Sequence, residues 1–333
     1  MSEGKAKLGL LLPNQGVVFG ATTVAELIEL AETAEASGAF DAVFVGDNLV
    51  AKPRLESVTT LSALAVRTSR VRLGTACMAS FPLRDPIVLA AQWAALDNLA
   101  GGRTILVACI GGGGGGAQIA GKFDQEYRAF RIPPGERAAR MEEGIAVLRT
   151  LWTEDPASFS GRFFEFEGIA VRPPPVQKPC PPIWIANNPH VFGAKPEVQR
   201  RIVERVARLA DGWMTVQATP AQFAESWGAI REAAAALGRD PDALESCLYH
   251  DLNIADDTEQ AFAETKRFLD EYYSADFSRE AVDRWATYGP PERCAERIGE
   301  FARAGVQNFC LRFSSYDQMA QLRRFLDRVL PLL

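Results

Sequence analysis

The chain has 333 residues, 47% hydrophobic and 23% charged, with a formal net charge of −6 at pH 7. That balance argues against nucleic acid or an anionic membrane surface as a partner, since both call for concentrated basic surface. No run approaches the roughly 20 apolar residues of a membrane span. Met1 to Lys7 hold no apolar segment of signal-peptide type, so the chain reads as cytoplasmic and as a single domain over 1–333.

Eight short β-branched or apolar runs alternate with longer amphipathic stretches. The first run, Leu8–Leu12, leads to a helix that Thr23 and Glu26 open with capping-box spacing. Val24, Leu27, Ile28 and Ala31 form its apolar stripe, and Gly38 stands where a left-handed residue would end it. Ala42–Val45, Val71–Cys77 and Thr104–Ile110 are the next three strands, the last running into six glycines, Gly111–Gly116. A long helix follows from about Glu136 to Trp152, then a hairpin turning at Gly161 and Arg162, then a proline-rich approach to the fifth strand, Pro182–Ala186. Roughly 70 residues between the fourth and fifth strands exceed a plain crossover, so 111–181 is expected to be an insertion that covers the site as a lid. Gly212–Val216, Cys247–Ile254 and Asn308–Phe313 complete the strands, and Tyr316 to Leu330 reads as a closing helix. Eight βα units suit an α/β fold of the (β/α)8 TIM-barrel type with an insertion between strands four and five, and place the chemistry at the carboxyl ends of the strands.

Six cysteines form no CxxC pair and four lie in or beside strands, as reduced core residues do. Only two histidines occur, His190 and His250, the second inside a strand, so no metal site is expected. The glycine run contains GxGxxG through Gly111, Gly113 and Gly116, and Gly116–Phe123 falls one residue short of a P-loop, with Phe123 in place of the Ser or Thr. Both matches follow from composition. The run either lets a ligand approach the backbone closely or is a plain loop tip. Asp47 and Asn48, ending strand two, suit a cofactor or substrate contact, or an Asx-turn. Thr75, Ala76, Cys77 and Met78 let something flat lie against strand three, or pack tightly in the core. Asn187 and Asn188, before a helix near Pro196, could cradle a phosphate or form a polar turn.

Phe40–Asp47, Thr68–Ala76, Arg84–Ala90, Leu96–Arg103, Glu136–Gly144, Val147–Trp152, Pro181–Ala186 and Ala207–Trp213 come in an order that resembles the bacterial-luciferase-like superfamily of flavin-dependent oxidoreductases. The resemblance implies a barrel that binds FMN or a deazaflavin (coenzyme F-420) at its strand carboxyl ends. It implies a non-proline cis peptide, matched here by Ala76–Cys77, with Thr75, Ala76 and Cys77 behind the flavin ring and Asp47 and Asn48 at its polar edge. Asn187 and Asn188 match the phosphate loop, and Asn14 and Gly111 the remaining pocket wall. Many relatives have histidine where this chain has Asn48, and larger residues where it has the glycine run. The leading expectation is a monooxygenase in which reduced FMN, supplied by a separate NAD(P)H:flavin reductase, reacts with O2 at C4a. The lid aromatics Phe123, Tyr127, Phe130, Phe163 and Phe164 would shape a site for a small apolar substrate, since no charged cluster marks an ionic one. Relatives are commonly homodimers. One alternative is a deazaflavin-dependent enzyme that transfers hydride; another is a flavin-binding barrel without turnover.

Overall fold

A computed structural model describes residues 6–112, 116–190 and 195–333, with the side chains of 116–121 left aside. Gly113–Gly115 of the glycine run lie outside the described residues. The strands are β1 (Lys7–Leu12), β2 (Ala42–Asp47), β3 (Arg72–Met78), β4 (Thr104–Ala108), β5 (Ala157–Ser160), β6 (Glu165–Ile169), β7 (Ile183–Ala186), β8 (Gly212–Val216), β9 (Glu245–Ile254), β10 (Ala286–Gly289) and β11 (Asn308–Phe313). Eight of them run parallel in the order β1, β2, β3, β4, β7, β8, β9, β11, and β11 pairs back with β1 to close a (β/α)8 barrel. Each of the eight strands expected from the sequence is present. The helices are α1 (Gly16–Phe19), α2 (Val24–Ala36), α3 (Ser57–Ala65), α4 (Pro86–Leu99), α5 (Gly116–Ala129), α6 (Arg137–Thr153), α7 (Pro196–Leu209), α8 (Pro220–Ala236), α9 (Thr258–Tyr273), α10 (Arg279–Trp285), α11 (Pro291–Arg303) and α12 (Gln318–Arg324). None of the described helices is long and apolar enough to cross a membrane.

Alternation along the strands, interrupted only where β3 bulges among the described barrel strands, divides the core in two. Leu11, Phe44, Ala76, Val107, Trp184, Met214, Tyr249 and Cys310 face the barrel axis. Leu10, Leu12, Val43, Val45, Leu106, Ile183, Ile185, Leu248 and Leu311 face the surrounding helices. Both faces are buried, which is why the strands read as continuous apolar runs. Large and small residues interdigitate across the axis. A Cβ on Gly9 of β1 would come within 2.6 Å of the Phe44 ring, and one on Gly74 of β3 within 2.8 Å, so two glycines make room for one phenylalanine.

Three expectations change in detail. Thr23 caps α2 by accepting from the Glu26 N–H, but the Glu26 carboxylate takes the Thr22 hydroxyl rather than closing the box. The closing helix starts at Gln318 and runs on past Arg324 with a changed hydrogen-bond pattern, as a π-helical turn over Phe325–Val329. Between β9 and β11 the chain adds α9, α10 and β10, and β10 extends the sheet beside the upper half of β9. The β5–β6 hairpin of the 111–181 insertion lies along the flank of α6, where Glu143 accepts from the N–H groups of Arg162, Phe163 and Phe164.

Candidate active site

The pleat decides which way each expected site residue points. In β2, Val43 and Val45 face the helices, so Asp47 does too. Its carboxylate is buried and fully employed: Oδ1 accepts from Ser57 Oγ at 2.7 Å and Arg84 Nη2 at 2.7 Å, and Oδ2 from Ser80 N at 2.9 Å and Ser80 Oγ at 2.6 Å. Asn48 has the opposite parity and turns inward. Its Oδ1 accepts from Lys52 N at 2.6 Å, while its Nδ2 is sealed from solvent with no partner among the described residues.

β3 breaks register against β2 between Val45 and Asp47, and against β4 between Gly74 and Met78. The Ala76–Cys77 peptide within that bulge is cis. The bulge lets two successive residues, Ala76 and Cys77, face the barrel interior. Thr75 replaces the interrupted ladder, its hydroxyl donating to Val107 O at 3.3 Å and accepting from Val107 N at 3.1 Å. Beyond the bulge, Asp47 holds Ser80, so its carboxylate braces the bulge from the helix side. Cys77 meets Cys109, which follows β4. The Cys77–Cys109 hydrogen bond, with burial, pushes the Cys77 thiol up, and the same bond pulls the Cys109 thiol down. Gly111 N donates to Cys109 Sγ at 3.4 Å, and Gly111 itself has φ +67°.

Asn14 is buried and spent on backbone. Its Nδ2 donates to Gly46 O at 2.8 Å and Leu55 O at 2.9 Å, and its Oδ1 accepts from Gly46 N. Asn187 shares the outward parity of Ile183 and Ile185, and accepts from Trp213 Nε1 at 2.9 Å. Asn188, beyond the end of β7, accepts through Oδ1 from Thr215 Oγ1 and Val216 N of β8. Its Nδ2 has no hydrogen-bond partner among the described residues. Of the expected lid aromatics, Phe123 is buried at the mouth, and Tyr127 donates to Ile110 O at 2.9 Å. Phe130 is exposed, and Phe163 lies between Arg140 and Arg162 on the hairpin side.

The mouth also holds charged side chains that the sequence did not single out. Loop 48–56 carries Lys52, whose ammonium stands 4.7 Å from the Tyr273 ring centroid and 5.3 Å from that of Phe123, with no carboxylate in salt-bridge range among the described residues. The loop is anchored on three sides. Glu126 of α5 accepts from Val50 N and Ala51 N. Arg54 donates to Gln15 Oε1 at 2.6 Å and to Tyr272 OH at 3.1 Å. Gln15 in turn donates to Tyr272 O at 2.9 Å. At the axis, Arg312 of β11 and Asp251 of β9 form an ion pair of 2.7 Å without solvent access, the guanidinium lying 3.9 Å from the Tyr272 ring centroid. The charges at this end of the barrel come from one loop and one strand far apart in sequence, so no charged cluster shows in the sequence itself.

Residues 7–308 match the family described as luciferase-like monooxygenase. The F420-dependent glucose-6-phosphate dehydrogenase of Mycolicibacterium smegmatis is 26% identical, the alignment covering 91% of this chain and 90% of that one. The enzyme of the same name from Gordonia bronchialis is also 26% identical over the same shares. Among solved structures, an F420-dependent secondary alcohol dehydrogenase in complex with an F420-acetone adduct superposes with a TM-score of 0.81 at 18% identity, covering 99% and 100% of the two chains. Monooxygenase RslO1 from Streptomyces bottropensis gives 0.79 at 24% identity, covering 98% and 99%. These two likenesses concern the fold.

Proposed function

Because the chain belongs to the luciferase-like monooxygenase family, we propose that it is an oxidoreductase that binds a deazaflavin, coenzyme F-420, against the Ala76–Cys77 bulge and exchanges hydride with a small polar substrate. The observation that carries the reading is the Asn48 amide. Its Nδ2 is buried beside the bulge without an acceptor, and a buried donor left unmade costs about 1–3 kcal/mol. An oxygen of the cofactor ring or of the substrate supplies that acceptor. Ala76 and Cys77 present the flat face. Bound there, a deazaflavin accepts or donates a hydride; this chain's residues orient it, exclude water from its face and handle the accompanying proton. Asp47, Thr75, Asn14 and Asn187 act one step back, by fixing the loops that carry the inward residues.

The F420-dependent relatives, aligned over nine-tenths of both chains, support the deazaflavin over FMN. Reduced FMN with O2 calls for a dry, apolar chamber that keeps a peroxide from water. The Lys52 ammonium, two thiols and an unpaired amide line this one. An anaerobic titration with the deazaflavin, oxidised FMN and reduced FMN tests the proposal. Tightest binding of the deazaflavin is the expected result. Preference for reduced FMN would overturn it, and would restore the monooxygenase served by a separate flavin reductase.

A further inference from the structure

We propose that Lys52 is the proton-transfer residue of this site: its neutral amine takes the hydroxyl proton of an alcohol as the C–H hydride leaves to a deazaflavin, and its ammonium returns the proton when a carbonyl is reduced. The role rests on the deazaflavin reading above. The step balances, since the substrate carbon gives up two electrons and one hydrogen as hydride to the deazaflavin, the oxygen gives up its proton to Nζ, and the C–O bond becomes C=O.

Three observations carry the inference. The first is position. Lys52 is fixed at both backbone ends, its N–H donating to Asn48 Oδ1 and its carbonyl accepting from Arg54 Nε at 3.1 Å. Its ammonium stands between Phe123 and Tyr273, and the residue as a whole is half-buried. The same residue that offers an unpaired amide to the ligand thus also places the amine. The second is charge. Arg54 on its own loop and Arg312 of β11 repel the ammonium; the Cys77 and Cys109 thiols are the acidic groups whose charge would favour it; the Tyr273 phenol faces it from α9. Of the carboxylates around it, Asp47 is held by Arg84 and Ser80 and Asp251 by Arg312, while Glu126 accepts the Val50 and Ala51 N–H groups through Oε1 and keeps Oε2 buried without a partner among the described residues. Burial above all, and then Arg54, push the Lys52 ammonium down to about 7. An amine that exchanges its proton near the working pH is what general acid–base catalysis asks for.

The third concerns the two histidines, both of which burial pushes down. His250 is buried on the helix-facing side of β9, its Nε2 at 2.8 Å from Thr287 Oγ1, and burial pushes it down to about 3. His190 Nε2 lies 3.0 Å from Val216 O, while its Nδ1 is buried with no partner among the described residues.

Competitive acetylation across about pH 5 to 11, read by peptide mass spectrometry on the full chain, tests the state of Nζ without any substrate. Lys52 is expected to reach half its maximal reactivity near pH 7, far below Lys266, which two aspartates hold charged. Half-reactivity above about pH 9 would overturn the proposal. The second arm compares wild type with Lys52→Met and Lys52→Arg. Deazaflavin dissociation constants should stay within about threefold. Single-turnover reduction of the bound deazaflavin by a panel of small secondary alcohols and 2-hydroxy acids should slow by at least about 100-fold in both variants. Arginine keeps the charge but cannot give up its proton, so a Lys52→Arg enzyme as fast as wild type would make Lys52 an anion anchor and overturn the proton-transfer role. Failure of wild type to bind deazaflavin would instead overturn the cofactor reading, and this role with it.

Discussion

Asp47→Asn separates a bracing role from a contact role at the site. The substitution keeps size and shape but turns one acceptor oxygen into an NH2 group. Oδ1 serves Ser57 Oγ and Arg84 Nη2, while Oδ2 serves Ser80 N and Ser80 Oγ. The two hydroxyls can rotate away, but Arg84 Nη2 and Ser80 N cannot stop donating, so either orientation of the amide leaves one donor facing another. The losses are a charge-assisted hydrogen bond worth about 1.5–3 kcal/mol and a buried donor left unmade at about 1–3 kcal/mol. The Asp47 side chain has no exposure, and Arg84, 11% exposed, retains the Ser80 hydroxyl and the more solvated Glu56 carboxylate. A total of about 3–5 kcal/mol follows, in the range for breaking a buried pair. With an unfolding entropy near 2.1 cal/mol/K per residue, the expected fall in Tm is about 4–7 °C. Differential scanning calorimetry checks it, alongside deazaflavin titration below the transition. Looser Ser80 should weaken binding moderately, because the bulge surface depends on it. An unchanged Tm with binding lost would refute the reasoning and make Asp47 a direct ligand contact.

Asp251→Ala should cost at least as much, since it strands a guanidinium that has no solvent access. Adding Arg312→Met to it should recover at least half of the loss in a double-mutant cycle, and additive losses would argue against an ion pair. Gly111→Ala places a Cβ at positive φ and 2.5 Å from Ala79 O. A loss of about 1–3 kcal/mol in urea unfolding is expected, and a neutral result would refute the assigned turn. For Glu35, burial pushes the carboxyl up, but the N–H groups of Val71, Arg70 and Ser69 pull it further down, to about 2. Its stabilisation is therefore full above the unfolded value near 4.5 and fades as pH falls toward 2, so the Tm gap between wild type and Glu35→Gln should close over that window. Lys52 has the opposite sense. Its native state releases the proton near pH 7 while the unfolded chain holds it to about 10, so wild type gains stability through that interval. Lys52→Met should be the more stable protein at pH 6, by a margin that shrinks toward pH 10.

The barrel was legible because its period is local. Each strand is buried on both faces and bounded by turn residues, so eight apolar runs could be counted without knowing what they touch. β10 escaped because Ala286–Gly289 is four residues long and borders a glycine and prolines, with no alternation to mark it. The hairpin at Gly161 was legible too, yet its place along α6 was not, since that depends on Glu143 reaching three N–H groups across the insertion. Among the site residues, the Ala76–Cys77 cis bond was expected from resemblance rather than from residue chemistry. Lys52 was invisible for a different reason. A lysine in a polar loop reads as solvated surface, and only the convergence of α5, α9 and β11 around it lowers its proton affinity.

Direction, more than identity, decides what the expected residues do, and direction follows from parity. Val43 and Val45 outward put Asp47 outward and Asn48 inward. Ile183 and Ile185 outward likewise put Asn187 outward, where it accepts from Trp213 Nε1. The Asp47–Asn48 pair thus divides its labour: the first residue ties a neighbouring element from the helix side, and the second turns its amide to the barrel interior. Asp47 braces Ser80 behind the bulge, while Asn48, one residue later, holds the backbone N–H of Lys52. The platform for the cofactor and the amine proposed for proton transfer are therefore set by adjacent residues at the end of one strand. Their spacing cannot drift independently, because β2 fixes both. A one-residue register slip in β2 would turn Asp47 into the barrel and Asn48 toward α3, placing an unpaired carboxylate in the mouth and leaving Arg84 without its partner. That double penalty is what holds the register where the chemistry needs it.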